Sequence, residues 1–302
     1  MSLEVAAGSF VVLLGPSGCG KTTLLKLANR LHDPTSGRVL VDGRPAADQP
    51  AAELRRGIGY VIQQSGLFPH FRVGDNVATV PRLLGWDKAR VAARVDDLLN
   101  LVGLPPAEYR HRWPAQLSGG EQQRVGLARA LAADPRIVLM DEPFGALDAI
   151  TRSRLQDEVR RIHARLGQTV LFVTHDIEEA VRLADRIVVM RDGRVVQHGT
   201  PLAIVTEPAD AFVADLVGAH DVLRRLSLLT VGAAMRPLAG GAPDAPAVSQ
   251  RNDLRHALGL LLQDGTSALV VVDDDGNPVG QLDLPAIQGV CTPVAEPAGT
   301  PA

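Results

Sequence analysis

The sequence predicts an α/β fold built on a largely parallel sheet. Two observations carry that prediction: short apolar runs recur along the first two-thirds of the chain, and stretches with helical spacing separate them. The runs 10–14, 58–62, 137–140 and 169–174 read as buried strands, and a strand buried on both faces belongs to a sheet covered by helices. Stretches 24–31, 88–102, 122–132 and 152–166 read as the helices between them. Two turn signals add antiparallel edges. Asp42-Gly43 within 38–44 and Asp192-Gly193 within 187–197 each predict a hairpin, so the sheet is mixed at its margins.

The character changes near Val222. Residues 237–248 are rich in Pro, Gly and Ala, as linkers are, and beyond them a helix (254–263), a strand (268–272), a turn (273–278) and a second strand (279–284) suggest a small α+β domain. A chain of 302 residues suits one domain of about 200 residues plus such a small one.

Composition excludes several classes of function. A net charge of −3 offers nucleic acid no overall attraction, and the arginines of 151–165 are interleaved with acids, as on a solvated helix face. Cys19 and Cys291 cannot supply a disulfide framework, which fits a reducing cytosol. No apolar run approaches the ~18 residues of a bilayer span, and no Lys or Arg precedes Phe10 as in a signal peptide. The expectation is a cytosolic chain, or one docked on a membrane from that side.

Chemistry is concentrated in a few places. Gly15, Pro16, Ser17, Gly18, Cys19, Gly20, Lys21, Thr22 and Thr23 form a glycine-rich turn from a predicted strand into a predicted helix. Its backbone N–H groups suit a β-phosphate, Lys21 can reach a γ-phosphate, and the Thr22 hydroxyl can hold Mg²⁺. Cys19 in this loop, near a helix N-terminus, is a candidate for a reactive thiol. A second helix start is Leu117-Ser118-Gly119-Gly120-Glu121-Gln122-Gln123-Arg124. Ser118 and Glu121 make a capping box, yet two glycines in the first turn weaken the helix by about 1 kcal/mol each, which capping does not require. Close approach of an anion does. Finally, Asp141 and Glu142 directly follow four apolar residues, at the carboxyl end of a strand, where ligands collect in open α/β sheets.

Together these motifs resemble the ATP-binding cassette (ABC) ATPases. The run 15–23 looks like Walker A, 117–124 like the signature motif, and 137–143 like Walker B, in the family's order and over roughly residues 2–218. The resemblance implies a P-loop NTPase fold of ABC type, with a mixed sheet core and a helical subdomain. It also implies roles: Asp141 and Gln63 join Thr22 around Mg²⁺, Glu142 is the general base, and His175 after the strand 169–174 contacts the γ-phosphate. Gln63 is the Q-loop residue, with Gln64 as the alternative. Gly145-Ala146-Leu147-Asp148 resembles the D-loop, placing Asp148 at a subunit interface. In this family Ser118, Gly119, Gly120 and Glu121 act in trans on the nucleotide of another subunit, so the expected active unit is a homodimer holding two ATP.

Only residues 64–117 separate the Q-loop from the signature, too few for the long coiled coil of chromosome-maintenance relatives. Without spans of its own, the chain suits importers with separate permease and substrate-binding chains, peripheral to the cytoplasmic face of the membrane. Leu67-Phe68-Pro69-His70 resembles the importer surface that grips a permease. That segment, together with Val80-Pro81-Arg82-Leu83-Leu84-Gly85-Trp86 and a small C-terminal domain, looks like the quaternary-amine importers for glycine betaine, choline and related osmoprotectants. An importer for a sulfonate, polyamine or amino acid, or a non-transport regulatory protein, remains open. The family's tail carries paired cystathionine-β-synthase-type (CBS) modules, of which 249–290 resembles one.

The resulting expectation is an ABC domain over 1–218, a linker over 219–248, a partial CBS-like module over 249–290 and a disordered tail over 291–302. The family's N-terminal strand with an adenine-stacking aromatic is expected to be missing, because residues 2–10 already resemble the stretch before Walker A. The loss implies ATP binding weaker by roughly 5- to 150-fold if nothing replaces the stacking. Asp273-Asp274-Asp275 reads as a solvated turn, not a metal site.

Overall fold

A computed structural model describes residues 1–63, 66–145, 147–218, 221–238 and 245–291. They divide into two compact units, one of Met1–His175 with Met190–Val195, the other of Asp176–Val189 with the described part of Val196–Ala302.

The first unit opens with β1 (Phe10–Leu14), buried at every residue, and α1 (Lys21–Ala28). A short hairpin follows, β2 (Leu40–Val41) and β3 (Arg44–Pro45), turning where Asp42 (φ 50°) and Gly43 (φ 74°) both enter the left-handed region that an Asp-Gly turn needs. After α2 (Ala51–Arg56) comes β4 (Ile58–Val61). A helical group follows: α3 (Val73–Val77), α4 (Thr79–Leu83), α5 (Lys88–Leu101), α6 (Pro106–Tyr109) and α7 (Gly119–Leu131). The unit then returns to the sheet through β5 (Ile137–Asp141), α8 (Ala149–Leu166) and β6 (Thr169–Thr174).

The four long strands run parallel in the order β4-β5-β6-β1. Their register aligns the ends that matter, pairing Leu14 with Thr174 and Asp141 with Val173. The loop leaving β1, the acids ending β5 and the histidine after β6 therefore emerge along one sheet margin. The loop after β4 is pinned to the helical group by buried Asn76, whose side chain accepts from Phe68 N (2.8 Å) and donates to the carbonyls of Phe68 (3.2 Å) and Phe71 (3.1 Å).

The second unit comprises α9 (Ile177–Leu183), the hairpin β7 (Arg186–Arg191) and β8 (Arg194–Gly199), α10 (Pro201–Thr206) and α11 (Ala211–Val217). The hairpin's tip, Met190–Val195, belongs to the first unit and turns at Asp192 (φ 50°) and Gly193 (φ 73°). Next come α12 (Val222–Leu228), α13 (Val231–Ala234), β9 (Ala247–Ser249), α14 (Leu254–Asp264), β10 (Ala268–Val272), β11 (Pro278–Asp283) and α15 (Leu284–Cys291). The strands form a small sheet ordered β11-β10-β9, with β10 antiparallel to β11 and parallel to β9.

Two expectations about organisation need correction. The stretch 219–248 is not linker throughout: α12 and α13 lie within it, with Leu226, Leu228, Leu229 and Val231 buried. Nor does the molecule divide at 218, because α12 packs on α9 as well as on α14 and α15. The expected tail begins at Cys291, which closes α15; residues 292–302 lie outside the described ones.

Candidate functional site

The loop after β1 is shaped by what it excludes. A Cβ on Gly15 would sit 2.3 Å from the Met190 carbonyl oxygen and 2.8 Å from Cys19 Sγ, so no side chain fits. Gly20, at φ 102°, is the N-cap of α1 without a side chain over the helix terminus. Pro16, Ser17 and Gly18 form an exposed lip, and Thr23 is exposed on the first turn. The Cys19 carbonyl accepts from Gly193 N at 3.0 Å, which anchors the loop to the hairpin tip. Cys19 itself is buried, 3% exposed, so the expected reactive thiol is corrected to a packed one. Lys21 is also buried, and its Nζ donates to the carbonyls of Gly15 (2.7 Å) and Pro16 (3.0 Å). The loop thus folds its own cation inward.

Beside it, the Thr22 hydroxyl donates to Asp141 Oδ1 at 2.9 Å. Asp141 is buried at the end of β5, and its pKa is raised chiefly by desolvation; the Thr22 hydrogen bond opposes the rise and the Glu142 charge adds to it. Tyr60 on β4 responds to the same surroundings, its phenol pushed up to about 12 by burial and by the Asp141 charge. A hydroxyl and a buried carboxylate converging at this distance are the hard oxygen donors that suit Mg²⁺.

Glu142 stands in the left-handed region at φ 43°, a conformation that costs a non-glycine residue roughly 1–2 kcal/mol. Its N–H donates to the Val173 carbonyl at 3.0 Å, and its carbonyl accepts from Gly145 N at 3.3 Å. This backbone turn aims the side chain: Oε2 accepts from Gln63 Nε2 at 3.3 Å and lies 3.3 Å from His175 Nδ1. A water held beside these three groups would meet a carboxylate flanked by two polar side chains.

The residues expected to act in trans form a separate cluster. Ser118 caps α7, its N–H (2.7 Å) and hydroxyl (2.8 Å) both donating to Glu121 Oε2, while Glu121 N donates back to Ser118 Oγ at 3.4 Å. Gly119 faces open space, whereas a Cβ on Gly120 would meet the Thr151 methyl at 2.8 Å. Tyr109 donates to Glu121 Oε1 at 2.7 Å, a partner the sequence motifs did not reveal, since a tyrosine hydroxyl has no spacing signature. Asp148 caps α8 by accepting from Ile150 N (3.1 Å) and Thr151 N (3.0 Å), and its carboxyl is held below the usual range by Thr151. Gln64 lies outside the described residues. Asp273 spends its carboxylate on the N–H groups of Asp275 (3.0 Å) and Asn277 (2.8 Å), as a turn does, and no cluster of three metal-ligating side chains occurs among the described residues.

Comparison with known proteins gives this geometry a family. Residues 1–145 match the model of the ABC transporter family. The osmoprotectant import ATP-binding protein OsmV of Salmonella typhimurium (strain LT2) is 44% identical over 302 residues, covering 98% of this chain and 77% of its own length. The chain belongs to the ABC transporter ATP-binding proteins. Within that family, the glycine betaine uptake system ATP-binding protein YehX of Escherichia coli (strain K12) is 49% identical over 283 residues, covering 93% of this chain and 91% of the relative. Among solved structures, the dimeric ATP-binding cassette MJ0796 bound to ADP and Pi aligns with a TM-score of 0.59 at 37% identity, over 66% of this chain and 88% of the other. This ABC cassette is accordingly an ATP-binding ATPase of the P-loop fold. No helix among its described residues is long and apolar enough to cross a membrane.

Proposed function

We propose that this chain is the ATP-hydrolysing subunit of an importer for quaternary-amine osmoprotectants such as glycine betaine or choline. It works as a homodimer on the cytoplasmic face of a membrane, with permease subunits and a substrate-binding protein supplied by other chains. The observation that carries the substrate class is similarity to proteins named for osmoprotectant and glycine betaine import over 93–98% of the chain, beyond the cassette and through the C-terminal α+β elements.

The chemistry follows from the geometry. Backbone N–H groups of Gly15 to Thr23 cradle the phosphates, and Lys21 exchanges its two carbonyl bonds for phosphate oxygens. Thr22, Asp141 and Gln63 would hold Mg²⁺, which when bound neutralises developing phosphate charge. Glu142 takes a proton from the attacking water, and His175, on the same carboxylate oxygen, orients it and senses the γ-phosphate. Ser118, Gly119 and Gly120 complete the partner subunit's pocket, with Glu121 holding Ser118 and Asp148 at the shared interface. The exposed face around Phe68 receives the permease. The small sheet β11-β10-β9 with α14 and α15 resembles one CBS-type module, either paired with that of the other subunit or a remnant without ligand.

The decisive experiment is reconstitution with the permease recovered by pull-down. ATP hydrolysis should rise with glycine betaine or choline and its binding protein, and not with a sulfonate, polyamine or amino acid. Stimulation by one of the latter alone, or hydrolysis indifferent to any permease, would overturn the reading.

A further inference from the structure

We infer that Tyr109 is a positioning residue for the phosphate-facing loop at Ser118, acting through the carboxylate of Glu121. The inference rests on the proposed role of Ser118 in the partner's nucleotide pocket, and it adds a residue outside the family motifs read in the sequence.

A capping box needs only one carboxylate oxygen. Here Glu121 Oε2 takes both the N–H (2.7 Å) and the hydroxyl (2.8 Å) of Ser118, and Oε1 takes the Tyr109 hydroxyl at 2.7 Å. With both oxygens tied on different sides, the carboxylate cannot turn about its last bond without losing a charge-assisted hydrogen bond. Its bond to Tyr109 also favours the ionised form: the Glu121 pKa is lowered, chiefly by that bond, and the Tyr109 pKa is raised by the same contact. The tyrosine ring has a neighbour of its own on this side: the Arg112 guanidinium lies 4.4 Å from its centroid and pairs with Glu108 at 2.6 Å.

This brace meets a specific weakness. Gly119 and Gly120 occupy the first two helical positions of α7, and without side chains their backbone is the least restricted, so the turn that must present bare N–H groups is intrinsically soft. The box ties Glu121 to Ser118 within the turn; Tyr109 ties it to α6, outside the turn. The direction of the Ser118 hydroxyl is thereby set from a neighbouring helix.

The test compares the intact chain with Tyr109→Phe, alone and in a Ser118→Ala background. Without nucleotide, Tyr109→Phe should speed amide exchange at Ser118 and Glu121 by about tenfold, the loss of one hydrogen bond to a charged group. In steady-state hydrolysis it should lower kcat about tenfold, with KM for ATP changed less than about twofold because Lys21 and its loop are untouched. In the Ser118→Ala background the further loss on Tyr109→Phe should shrink to within about twofold. Unchanged exchange at 118–121 overturns the inference, as does an equal loss of kcat in both backgrounds, which would mark general loosening of the helical group. If exchange speeds up while Ser118→Ala alone hydrolyses ATP at the full rate, the brace stands and the trans role of Ser118 falls.

Discussion

His175 Nδ1 lies 3.3 Å from Glu142 Oε2, the same oxygen that accepts the side-chain amide of Gln63 at 3.3 Å. The strand order explains the meeting. β5 lies between β4 and β6, so the residue just past β5 is flanked by those just past its two neighbours. Three residues separated by 79 and 33 positions thus share one carboxylate through parallel pairing alone.

Glu142→Gln keeps the size and hydrogen-bonding reach of the side chain and removes its basicity. Turnover should fall by roughly 10²- to 10⁴-fold while ATP binding persists and a nucleotide-bound dimer accumulates on size exclusion. Unchanged steady-state hydrolysis would remove Glu142 as the base.

Asp141 makes a prediction with opposite signs for stability and activity. Its pKa is raised on folding, chiefly by burial, so the native state holds its proton more tightly than the unfolded chain. Stability is then lost as pH rises from the ordinary carboxylate value through the raised one, and at neutral pH the ionised group is a burden on the nucleotide-free fold. Asp141→Asn should therefore raise the thermal midpoint of the nucleotide-free protein at pH 7 while abolishing Mg²⁺-dependent hydrolysis. The stabilisation should vanish below the carboxylate range, which a pH series of melting curves reads directly.

Gly15→Ala places a methyl group 2.3 Å from the Met190 carbonyl oxygen, a backbone atom that cannot rotate away. The expected cost is about 1–3 kcal/mol in urea unfolding, together with loss of nucleotide binding. Wild-type affinity in this variant would mean that the loop and the hairpin tip can part without consequence.

Leu229→Ala tests the correction to the expected linker. A residue in a true linker would change stability by no more than about 0.5 kcal/mol, whereas a leucine 2% exposed should cost about 2–5 kcal/mol in denaturant unfolding.

Much of this architecture was legible because burial was written locally. β1 is five apolar residues, all buried, and both Asp-Gly hairpins turn where the dipeptides stand. The start of α7 was legible from its capping box, which makes Ser118 the N-cap and puts Gly119 and Gly120 in the first turn, whereas helical spacing alone begins only at 122. The error at 219–248 came from composition. The Pro, Gly and Ala of 237–248 coloured the reading of the preceding stretch, although Leu226, Leu229 and Ala234 already carried an apolar face. The motifs named the atoms of the site but not its present arrangement. That Lys21 points back to Gly15 and Pro16, and that Glu121 is braced by Tyr109, depend on contacts between side chains that no spacing records.

The left-handed backbone at Glu142 decides which accidents this chain could survive. Glycine, asparagine and aspartate reach that conformation most cheaply, so a change to any of them should give a protein that folds and fills with ATP but cannot turn it over. A β-branched replacement would be strained further at this position and would lower the stability of the fold as well. In the proposed homodimer the first kind of lesion is the worse one, because an inert copy that still binds ATP takes the place of a working one at the proposed permease.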